Sequence, residues 1–495
     1  MDVERSKTDE KAARRGPSPQ ALPKIPTQVA GLDDVLHGGL PRDRTTLLIG
    51  GPGAGKTLLS IETLYRAARS GRPALFISFE ESAAAIRTNA LSMGWDLASL
   101  EQEGHLSLLD PELDFRAIRA GEFNISGLLA TAQGEAERIE ASLVVIDAID
   151  VLMRLFTDPV RREDELYALH AWLIKRQFTS ILTVKSRAGQ GGESVFPFLD
   201  FLMDCIIVLD QRVVKQVATR RLRVLKYRGS GYIDNDCPVV IASSGMVMMP
   251  VSSAELRHEP LGPPRSSGHK SLDQLLDGGY RQGSVVLVAG PTGCGKTTIA
   301  CTFTLSAARR GERTLYVSFE EGEQGIFSAM RGVGLDLSPF VQEGVVEILT
   351  AMPESMGVEA HLLRILRAIE RFEPRHVVVD AISASRRMGP EAWAFDFLVR
   401  LLGMCRERGI TCFYLNQTPG GSTADYLSGF GISSLIDTAV VVDYAWEADV
   451  LERYLFILKS RGARHSRKRH RLTISNNGIA VGPGPSGTAG EGRSQ

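Results

Sequence analysis

An internal duplication is the feature that most constrains how this chain folds. The segment GLDDVLHGGLPRDRTTLLIGGPGAGKT, which begins at Gly31, returns as SLDQLLDGGYRQGSVVLVAGPTGCGKT from Ser271, 240 positions later. SFEE at Ser78–Glu81 repeats at Ser318–Glu321 with the same spacing, and later landmarks recur after 233 positions. A repeat of this length predicts two domains of related fold within the 495 residues.

The segments between and around the two copies differ from them in composition. A stretch rich in Pro and Ser separates the copies, and the two ends of the chain are polar or rich in Gly, Pro and Ser. We therefore predict a disordered tail at 1–22, a first domain at 23–252, a linker at 253–266, a second domain at 267–483 and a second disordered tail at 484–495.

Short aliphatic runs alternate with longer amphipathic stretches in each copy. The first copy has TTLLIG, ALFISF and LVVID, and the second has SVVLVAG, TLYVSF and HVVVD in the corresponding places. Strands that alternate with helices predict an α/β domain with a mostly parallel twisted sheet and helices on both faces. The late runs RRLRVLKY and YLFILKS predict an added β-rich edge.

Each copy carries a glycine-rich motif that fits GxxxxGK[ST], GGPGAGKT at Gly50–Thr57 and GPTGCGKT at Gly290–Thr297. Each motif follows a predicted strand and precedes a predicted helix, which is the context that a phosphate-binding loop requires. Its glycines let backbone N–H groups converge on phosphates, its Lys reaches the β- and γ-phosphates, and its Thr binds Mg²⁺. The residues predicted for these tasks are Gly50, Gly53, Gly55, Lys56 and Thr57, and Gly290, Gly293, Gly295, Lys296 and Thr297.

An aspartate ends a buried strand in each copy. Asp147 ends LVVID and Asp380 ends HVVVD, so both carboxylates are expected at the carboxyl edge of the sheet, where α/β sheets bind ligands. Beside a phosphate-binding loop, this position predicts a Walker B aspartate that supports the Mg²⁺ site. The alternative is that each aspartate only begins a turn.

Two adjacent glutamates follow another strand in each copy, Glu80 and Glu81 in the first and Glu320 and Glu321 in the second. Neighbouring residues at a strand end point to opposite sides, so one carboxylate can face the γ-phosphate and orient or deprotonate the nucleophile. The alternative is a charge pair that favours a helix N-terminus.

Two cations at positions i and i+2 precede a glycine late in each copy, Lys226 and Arg228 in KYRG and Lys459 and Arg461 in KSRG. Both pairs lie far in sequence from the loop of their own copy, which favours action on the phosphates of a neighbouring subunit. A solvated strand face is the alternative. The basic run Arg464–Arg471 is expected to be a charged edge or a subunit contact, and nucleic-acid binding is the less favoured interpretation.

The composition excludes several other classes of protein. With 57 Lys and Arg against 58 Asp and Glu, the net charge of −1 does not predict a general polyanion-binding surface. The six cysteines form no CxxC pair, so a zinc site or a disulfide framework is not expected. No apolar run is long enough for a membrane span and the start lacks a signal-peptide pattern, so we expect a cytoplasmic protein without a membrane partner.

Taken together, these motifs resemble the KaiC family of tandem RecA-like ATPases across about residues 23–483. The resemblance implies a homohexamer of two stacked rings with ATP and Mg²⁺ bound at subunit interfaces. It implies that the first domain is an ATPase in which Glu80 and Glu81 orient the attacking water. It also implies that the second domain is an autokinase for serine or threonine hydroxyls and acts in circadian timing or stress signalling.

The same resemblance assigns further roles in the second copy. GISSLIDTAVVV is similar to the family's phosphosite segment, which places phosphorylation at Ser433 and Ser434. Glu320 becomes the general base towards the serine and part of the Mg²⁺ site, with support from Glu321, and Arg387 matches an arginine that acts on a neighbouring subunit.

The resemblance also suggests partners. A KaiB-like protein or a two-component regulator is a candidate partner. A KaiA-type activator is not expected, because the chain stops about 12 residues past Gly482 in a Gly/Pro/Ser tail and the family's clock members carry a longer extension there. Two other functions remain open, a RecA- or RadA-like ATPase that acts on DNA and a nucleotide-gated scaffold without kinase activity.

Overall fold

The two copies of the repeat fold into two units of the same architecture. One unit comprises Met1–Arg212 with Thr219–Pro250, and the other comprises Val213–Ala218 with Val251–Gln495. The computed structural model describes residues 22–111, 125–186, 196–214, 217–250, 260–418 and 432–483. Apart from Leu22, the predicted terminal tails lie outside the described residues, as does the predicted linker before Pro260.

The first unit is built on a nine-stranded sheet. A short antiparallel pair, β1 (Lys24–Ile25) and β2 (Leu40–Pro41), precedes it. The nine strands are β3 (Thr45–Gly50), β4 (Ala74–Ser78), β5 (Leu106–Leu109), β6 (Leu143–Asp147), β7 (Thr179–Lys185), β8 (Cys205–Val214), β9 (Val217–Tyr227), β10 (Cys237–Ala242) and β11 (Gly245–Met248). They lie in the order β11-β10-β9-β8-β3-β7-β6-β4-β5.

The second unit repeats this sheet strand for strand. After the pair β12 (Pro264–Arg265) and β13 (Tyr280–Arg281), its strands are β14 (Val285–Gly290), β15 (Thr314–Ser318), β16 (Val346–Thr350), β17 (His376–Asp380), β18 (Thr411–Gln417), β19 (Thr438–Glu447), β20 (Val450–Ser460), β21 (His470–Ser475) and β22 (Gly478–Pro483). Their order, β16-β15-β17-β18-β14-β19-β20-β21-β22, is that of the first sheet read from the other edge. The predicted duplication is therefore confirmed at the level of topology.

Each sheet is parallel over most of its width and antiparallel at one edge. The strand before each phosphate-binding loop, β3 or β14, pairs in parallel with both of its neighbours. In the second unit β19 to β22 continue as antiparallel pairs, and in the first unit β10 pairs antiparallel with β9 and β11. The predicted mostly parallel sheet with a β-rich edge is confirmed.

Helices cover the sheets. In the first unit they are α1 (Leu32–Val35), α2 (Lys56–Arg69), α3 (Ala83–Ser92), α4 (Leu97–Gln102), α5 (Ser126–Arg138), α6 (Ile149–Met153), α7 (Pro159–Lys175) and α8 (Leu199–Leu202). In the second unit they are α9 (Lys270–Leu275), α10 (Lys296–Arg309), α11 (Glu323–Arg331), α12 (Ser338–Gln342), α13 (Val358–Phe372) and α14 (Glu391–Glu407), with 3₁₀ turns at Pro353–Ser355, Ile382–Arg387 and Ile432–Leu435. Among the described helices, none combines the length and apolar character needed to cross a bilayer.

Both faces of the first sheet are buried, because its strands are apolar at successive positions. In β3, Leu48 packs in one hydrophobic cluster with Leu59 of α2, whereas Leu47 and Ile49 pack in another with Leu169 of α7. Successive side chains of a strand point to opposite faces, so an apolar strand of this kind requires helices on both sides. The predicted α/β class with two covered faces is confirmed.

A glycine at the start of each unit allows two backbone segments to touch. A Cβ on Gly39 would lie 2.1 Å from the carbonyl oxygen of Ile25, and a Cβ on Gly279 would lie 2.0 Å from that of Arg265. Both glycines also have positive φ values, +120° and +115°. These positions hold the short strand pair of each unit together and accept no side chain.

We expect Gly39→Ala to lower the free energy of unfolding by more than about 2 kcal/mol, since left-handed strain and a backbone collision add together. Gly71→Ala is the matched control: φ is +77° there, but a Cβ would meet nothing within 4 Å, so a loss of only about 1 kcal/mol is expected. Urea unfolding measures both. Equal losses for the two variants would show that the close approach at Gly39 does not matter.

Candidate functional site

The predicted phosphate-binding loops form the start of a helix in both units. Gly55 and Gly295 cap α2 and α10 with φ values of 104° and 102°, which glycine adopts without strain. Each helix then begins at the lysine of the motif, so its first N–H groups and the positive end of its dipole face the loop. Phosphate groups can bind to an arrangement of this kind.

The lysine of each motif folds back over its loop. Lys56 Nζ donates to the carbonyl oxygens of Gly50 at 2.9 Å and Gly51 at 3.2 Å. Lys296 Nζ donates to those of Gly290 at 3.0 Å and Pro291 at 2.7 Å. Burial lowers the pKa of Lys56, and the charge of Asp147 acts in the opposite direction.

The threonine of each loop is hydrogen-bonded to the strand-ending aspartate. Thr57 Oγ1 donates to Asp147 Oδ2 at 2.7 Å, and Thr297 Oγ1 donates to Asp380 Oδ2 at 2.9 Å. The aspartates are 2% and 6% exposed. The structure therefore brings together, in both units, the two oxygen donors predicted for Mg²⁺.

A second donor holds each aspartate, and it comes from a different strand in each unit. Thr183 of β7 donates to Asp147 Oδ1, whereas Tyr316 of β15 donates to Asp380 Oδ2 at 2.8 Å. Burial raises the pKa of both aspartates, and the hydrogen bonds offset part of this effect. A nearby cation would favour the charged carboxylate and is expected here.

These residues fit Mg²⁺ and a nucleoside triphosphate. Within the described ranges, no group of three or more His, Cys, Asp or Glu residues is placed to hold a metal ion. Mg²⁺ does not need such a cage, because it commonly binds one or two protein oxygens and fills its other positions with water and phosphate oxygens. The hydroxyl of Thr57 and the carboxylate of Asp147, beside a phosphate-binding loop, supply that donor set.

The two glutamates of the first unit diverge, as expected for neighbours at a strand end. Glu80 Oε1 lies 2.6 Å from Nζ of Lys185, the last residue of β7. Glu81 Oε2 instead accepts a hydrogen bond from Asn89 of α3 at 2.9 Å. Glu80 therefore points towards the end of β7, and Glu81 is engaged by α3, the helix that follows it.

Glu320 of the second unit has an altered acidity. Burial, and secondly the charge of Asp380, raise its pKa, while Lys296 and Arg387 act in the opposite direction. Arg387 is close enough to Glu320 of its own unit to act on that carboxylate, and its Nε also lies 3.2 Å from Glu354 Oε1. A raised pKa makes the Glu320 carboxylate a stronger base.

Three of the late cations, Lys226, Arg228 and Arg461, bind backbone carbonyls near the start of a strand. Lys226 Nζ donates to the carbonyl oxygen of Asp200 at 2.6 Å, and Arg228 Nη2 donates to that of Phe201 at 2.6 Å. In the second unit, Arg461 Nη2 donates to the carbonyl oxygen of Ser434 at 2.8 Å. Burial, and secondly the charge of Arg461, lower the pKa of Lys459.

These cations lie at the opposite end of the sheet from the phosphate-binding loop of their own unit. The N–H of Arg461 donates to the carbonyl of Asp437, and the N–H of Asp437 donates to that of Val285, the first residue of β14. The loop follows the last residue of the same strand, Gly290. At about 3.3 Å per residue, six residues of strand separate the two ends by roughly 20 Å.

The predicted phosphosites lie at the same end as Arg461. Ser434 is exposed in the 3₁₀ turn Ile432–Leu435, shortly before β19 begins at Thr438. The side chain of Ser433 lies outside the description. Ser434 is therefore remote from Glu320 of its own unit.

The basic run continues from this end of the second unit. Arg471 pairs with Glu452, and the guanidinium of Arg469 lies 4.8 Å from the centre of the Tyr454 ring. The run thus includes cations that are engaged within the unit itself.

Several residues of the sites escaped sequence reasoning. Thr183, Lys185 and Tyr316 sit inside or at the end of apolar strands, and nothing in the alternation of a strand tells which neighbour they meet across the sheet. The one indication in the sequence was the position of Lys185 at the carboxyl end of a predicted strand, because α/β sheets bind ligands at that edge.

Comparison with known proteins agrees with this geometry. The family model for the KaiC ATPase matches residues 25–253 and again 266–486. The chain belongs to the KaiC family. It is 34% identical over 467 residues to the circadian clock protein KaiC2 of Synechocystis sp. strain PCC 6803, covering 93% of this chain and 81% of that relative.

Other relatives are equally extensive. The circadian clock oscillator protein KaiC of Picosynechococcus sp. strain PCC 7002 is 33% identical over 467 residues, 93% of this chain and 90% of the relative. That of Parathermosynechococcus lividus is 31% identical over 468 residues, 93% and 86% of the two chains. Both domains are therefore KaiC-family ATPase domains, as the sequence predicted.

We expect Asp380→Asn to raise the melting temperature, measured without nucleotide or Mg²⁺. Because folding raises the pKa of Asp380, the folded state binds its proton more tightly than the unfolded state, and its charge disfavours folding at neutral pH. In a domain of this size, each increase of about 1 kcal/mol in stability raises the melting temperature by about 2–4 °C. The gain should shrink as the pH falls into the acid range where wild-type Asp380 is protonated.

Asp449→Asn at an exposed position is the control and should leave the melting temperature unchanged. A lower melting temperature for Asp380→Asn would contradict this account of the buried carboxylate.

Proposed function

We propose that this KaiC-family chain is an ATP-dependent homohexamer with water-directed ATPase activity in its first domain and serine autokinase activity in its second. ATP and Mg²⁺ bind to both domains. The observation that carries the proposal is the placement of Arg461 and Ser434 at the end of the sheet opposite the phosphate-binding loop. A single chain cannot bring these residues to its own nucleotide, whereas a second copy placed head to tail can.

In this arrangement each nucleotide site has two halves. One subunit supplies the phosphate-binding loop, the strand-ending Asp and the Glu pair. The adjacent subunit supplies the cation pair, Lys226 and Arg228 in the first ring or Lys459 and Arg461 in the second. The cations offset charge that develops on the phosphates, which is the task of an arginine finger. Heterologous contacts of this kind close into a ring when the rotation between neighbouring subunits divides a full turn, as the proposed hexamer requires.

The first site directs water to ATP. Glu80 orients and deprotonates the water, and Glu81, which is held by Asn89, keeps the strand end in place. Lys56 neutralises the β- and γ-phosphates, and Thr57 and Asp147 hold the Mg²⁺, which supplies further charge neutralisation when bound.

The second site directs a serine of the neighbouring subunit to ATP. A bond forms between the serine Oγ and the γ-phosphorus, the bond to the β,γ-bridging oxygen breaks, and ADP leaves. Glu320 takes the serine proton, and its raised pKa suits this task. Glu321 supports it, and Thr297, Asp380 and Glu320 would hold the Mg²⁺. Arg387, which the sequence predicted to act on a neighbouring subunit, lies near Glu320 of its own unit and offsets negative charge there.

The relatives' names suggest the biological role. They are circadian clock proteins, so we propose that this chain acts in timing or in stress signalling in the cytoplasm. A KaiB-like protein or a two-component regulator is the proposed partner.

Incubation with ATP and Mg²⁺ should place phosphate on Ser433 or Ser434, detected by phosphopeptide mass spectrometry. Replacing Glu320 and Glu321 by Gln removes the base and should reduce this phosphorylation by at least roughly a hundredfold. Hexamers should persist by size-exclusion chromatography with light scattering. Glu343→Gln, at an exposed position, is the matched control. Phosphate on neither serine would reject the kinase proposal, and undiminished phosphorylation in the Gln variants would reject the base.

Mixing two inactive variants tests whether the site is shared between subunits. One variant carries Lys296→Ala and intact serines, and the other carries Ser433→Ala and Ser434→Ala with an intact loop. Neither should become phosphorylated alone, and exchange of subunits should restore phosphate on the first variant. No restoration in hexamers shown to be mixed would contradict transfer between subunits.

A several-fold stimulation of ATP hydrolysis by DNA would favour the DNA-dependent ATPase instead.

A further inference from the structure

A lysine outside the known motifs lies within the first nucleotide site. Lys185 ends β7, and its register partner on the neighbouring strand β3 is Gly50, the first residue of the phosphate-binding loop. Its Nζ lies 2.6 Å from Glu80 Oε1. Lys185 is therefore a second lysine at the edge of the sheet where the phosphates of a nucleotide bind.

The charges around Lys185 form one group with those of the phosphate-binding loop. Asp150 Oδ2 lies 3.9 Å from Lys185 Nζ, and Asp150 Oδ1 accepts a hydrogen bond from the backbone N–H of Lys185 at 3.2 Å. The pKa of Lys56 responds to Asp147, Glu80, Asp150 and Lys185 together, with burial as the largest influence. Two lysines and three carboxylates thus share this edge.

The second unit has no equivalent of this lysine. The register partner of Gly290 on β18 is Gln417. The backbone N–H of Gln417 donates to Ser383 Oγ at 3.3 Å, whereas the backbone N–H of Lys185 donates to Asp150. Among the described residues of the second unit, Glu320 has no ion pair. The charge pair Lys185–Glu80 therefore distinguishes the water-directed site from the serine-directed one.

We propose that Lys185 is a second phosphate-binding cation of the first site. It holds Glu80 in an ion pair and exchanges this partner for the terminal phosphate of ATP, so that Glu80 turns to the water only when that phosphate is present. This rests on the proposed ATPase function of the first domain. Lys185 is then a catalytic residue that distinguishes ATP from ADP.

The physical properties of the pair permit such an exchange. Both side chains are 31% exposed, so neither is fixed by packing. The lysine ammonium is a compact charge with three donors on a flexible stem. A γ-phosphate carries more charge and more acceptor oxygens than one carboxylate, and hydrogen bonds between ionised groups are the strong ones. ADP lacks the γ-phosphate, so with ADP the ion pair with Glu80 persists.

The test is nucleotide binding to the full chain in which Glu320 and Glu321 are replaced by Gln. Lys185→Gln installs the side chain that occupies the equivalent position of the second unit, so the strand accepts it. Titration calorimetry with ADP and with ADP–beryllium fluoride, which mimics a terminal phosphate, then compares the variant with its parent. Any difference arises in the first site, because the second is identical in both proteins.

We expect the affinity for ADP to stay unchanged and that for ADP–beryllium fluoride to fall about tenfold, the loss of one charge-assisted hydrogen bond. Lys185→Arg should restore most of the affinity, and Lys175→Gln, at an exposed position of α7, should change neither. Unchanged affinity for both ligands, or an equal loss for both, would overturn the proposal.

ATP hydrolysis by the same proteins is measured in parallel. Under the proposal, Lys185→Gln lowers kcat and raises KM. Suppose that the variant loses affinity for ADP–beryllium fluoride alone, but that the parent protein does not hydrolyse ATP. The phosphate contact of Lys185 is then supported, whereas the ATPase function and the release of Glu80 are rejected. If the parent hydrolyses ATP and the variant does so with unaltered kcat and KM, the proposed role of Lys185 is rejected and the ATPase function stands.

Discussion

The hydrogen bond between the loop threonine and the strand-ending aspartate is the interaction on which both sites depend. It ties the start of α2 or α10 to the end of β6 or β17 and fixes the phosphate-binding loop against the sheet. The aspartates are almost fully buried, and burial works against their charge. In each unit one further hydrogen-bond donor offsets part of this effect, Thr183 in the first and Tyr316 in the second. The same constraint has therefore been met twice with different side chains.

Much of this architecture could be predicted from sequence, and the reason is local. The phosphate-binding loops, the strand-ending aspartates and the glutamate pairs are short motifs whose chemistry depends on neighbours in the chain. The two related domains followed from the repeat, and the mostly parallel sheet with two covered faces followed from short aliphatic runs that alternate with amphipathic stretches. The donors Thr183 and Tyr316 and the cation Lys185 could not be assigned in the same way. Their partners lie one strand away, and the choice of neighbouring strand and its register comes from the folded sheet.

The two units show how similar loops acquire different chemistry. Both have a lysine over the loop, a threonine, an aspartate and a glutamate after a strand. They differ at the strand end beside the loop, where Lys185 faces Glu80 but Gln417 faces Thr292. In the second unit the pKa of Glu320 is raised, with burial as the main cause. One glutamate is thus restrained by a cation and the other is available as a base, as expected if one site handles water and the other a serine.

The hydrogen bond from Arg461 to the carbonyl of Ser434 joins the cation pair to the serine segment at one end of the second unit. Both features must then point towards the same neighbour in any head-to-tail ring. A subunit would give its serine and its arginine to the subunit on one side and receive those of the subunit on the other. The two neighbours of any subunit would therefore be inequivalent: a change at one serine would meet the nucleotide of one neighbour directly and reach the other only through the rest of the subunit.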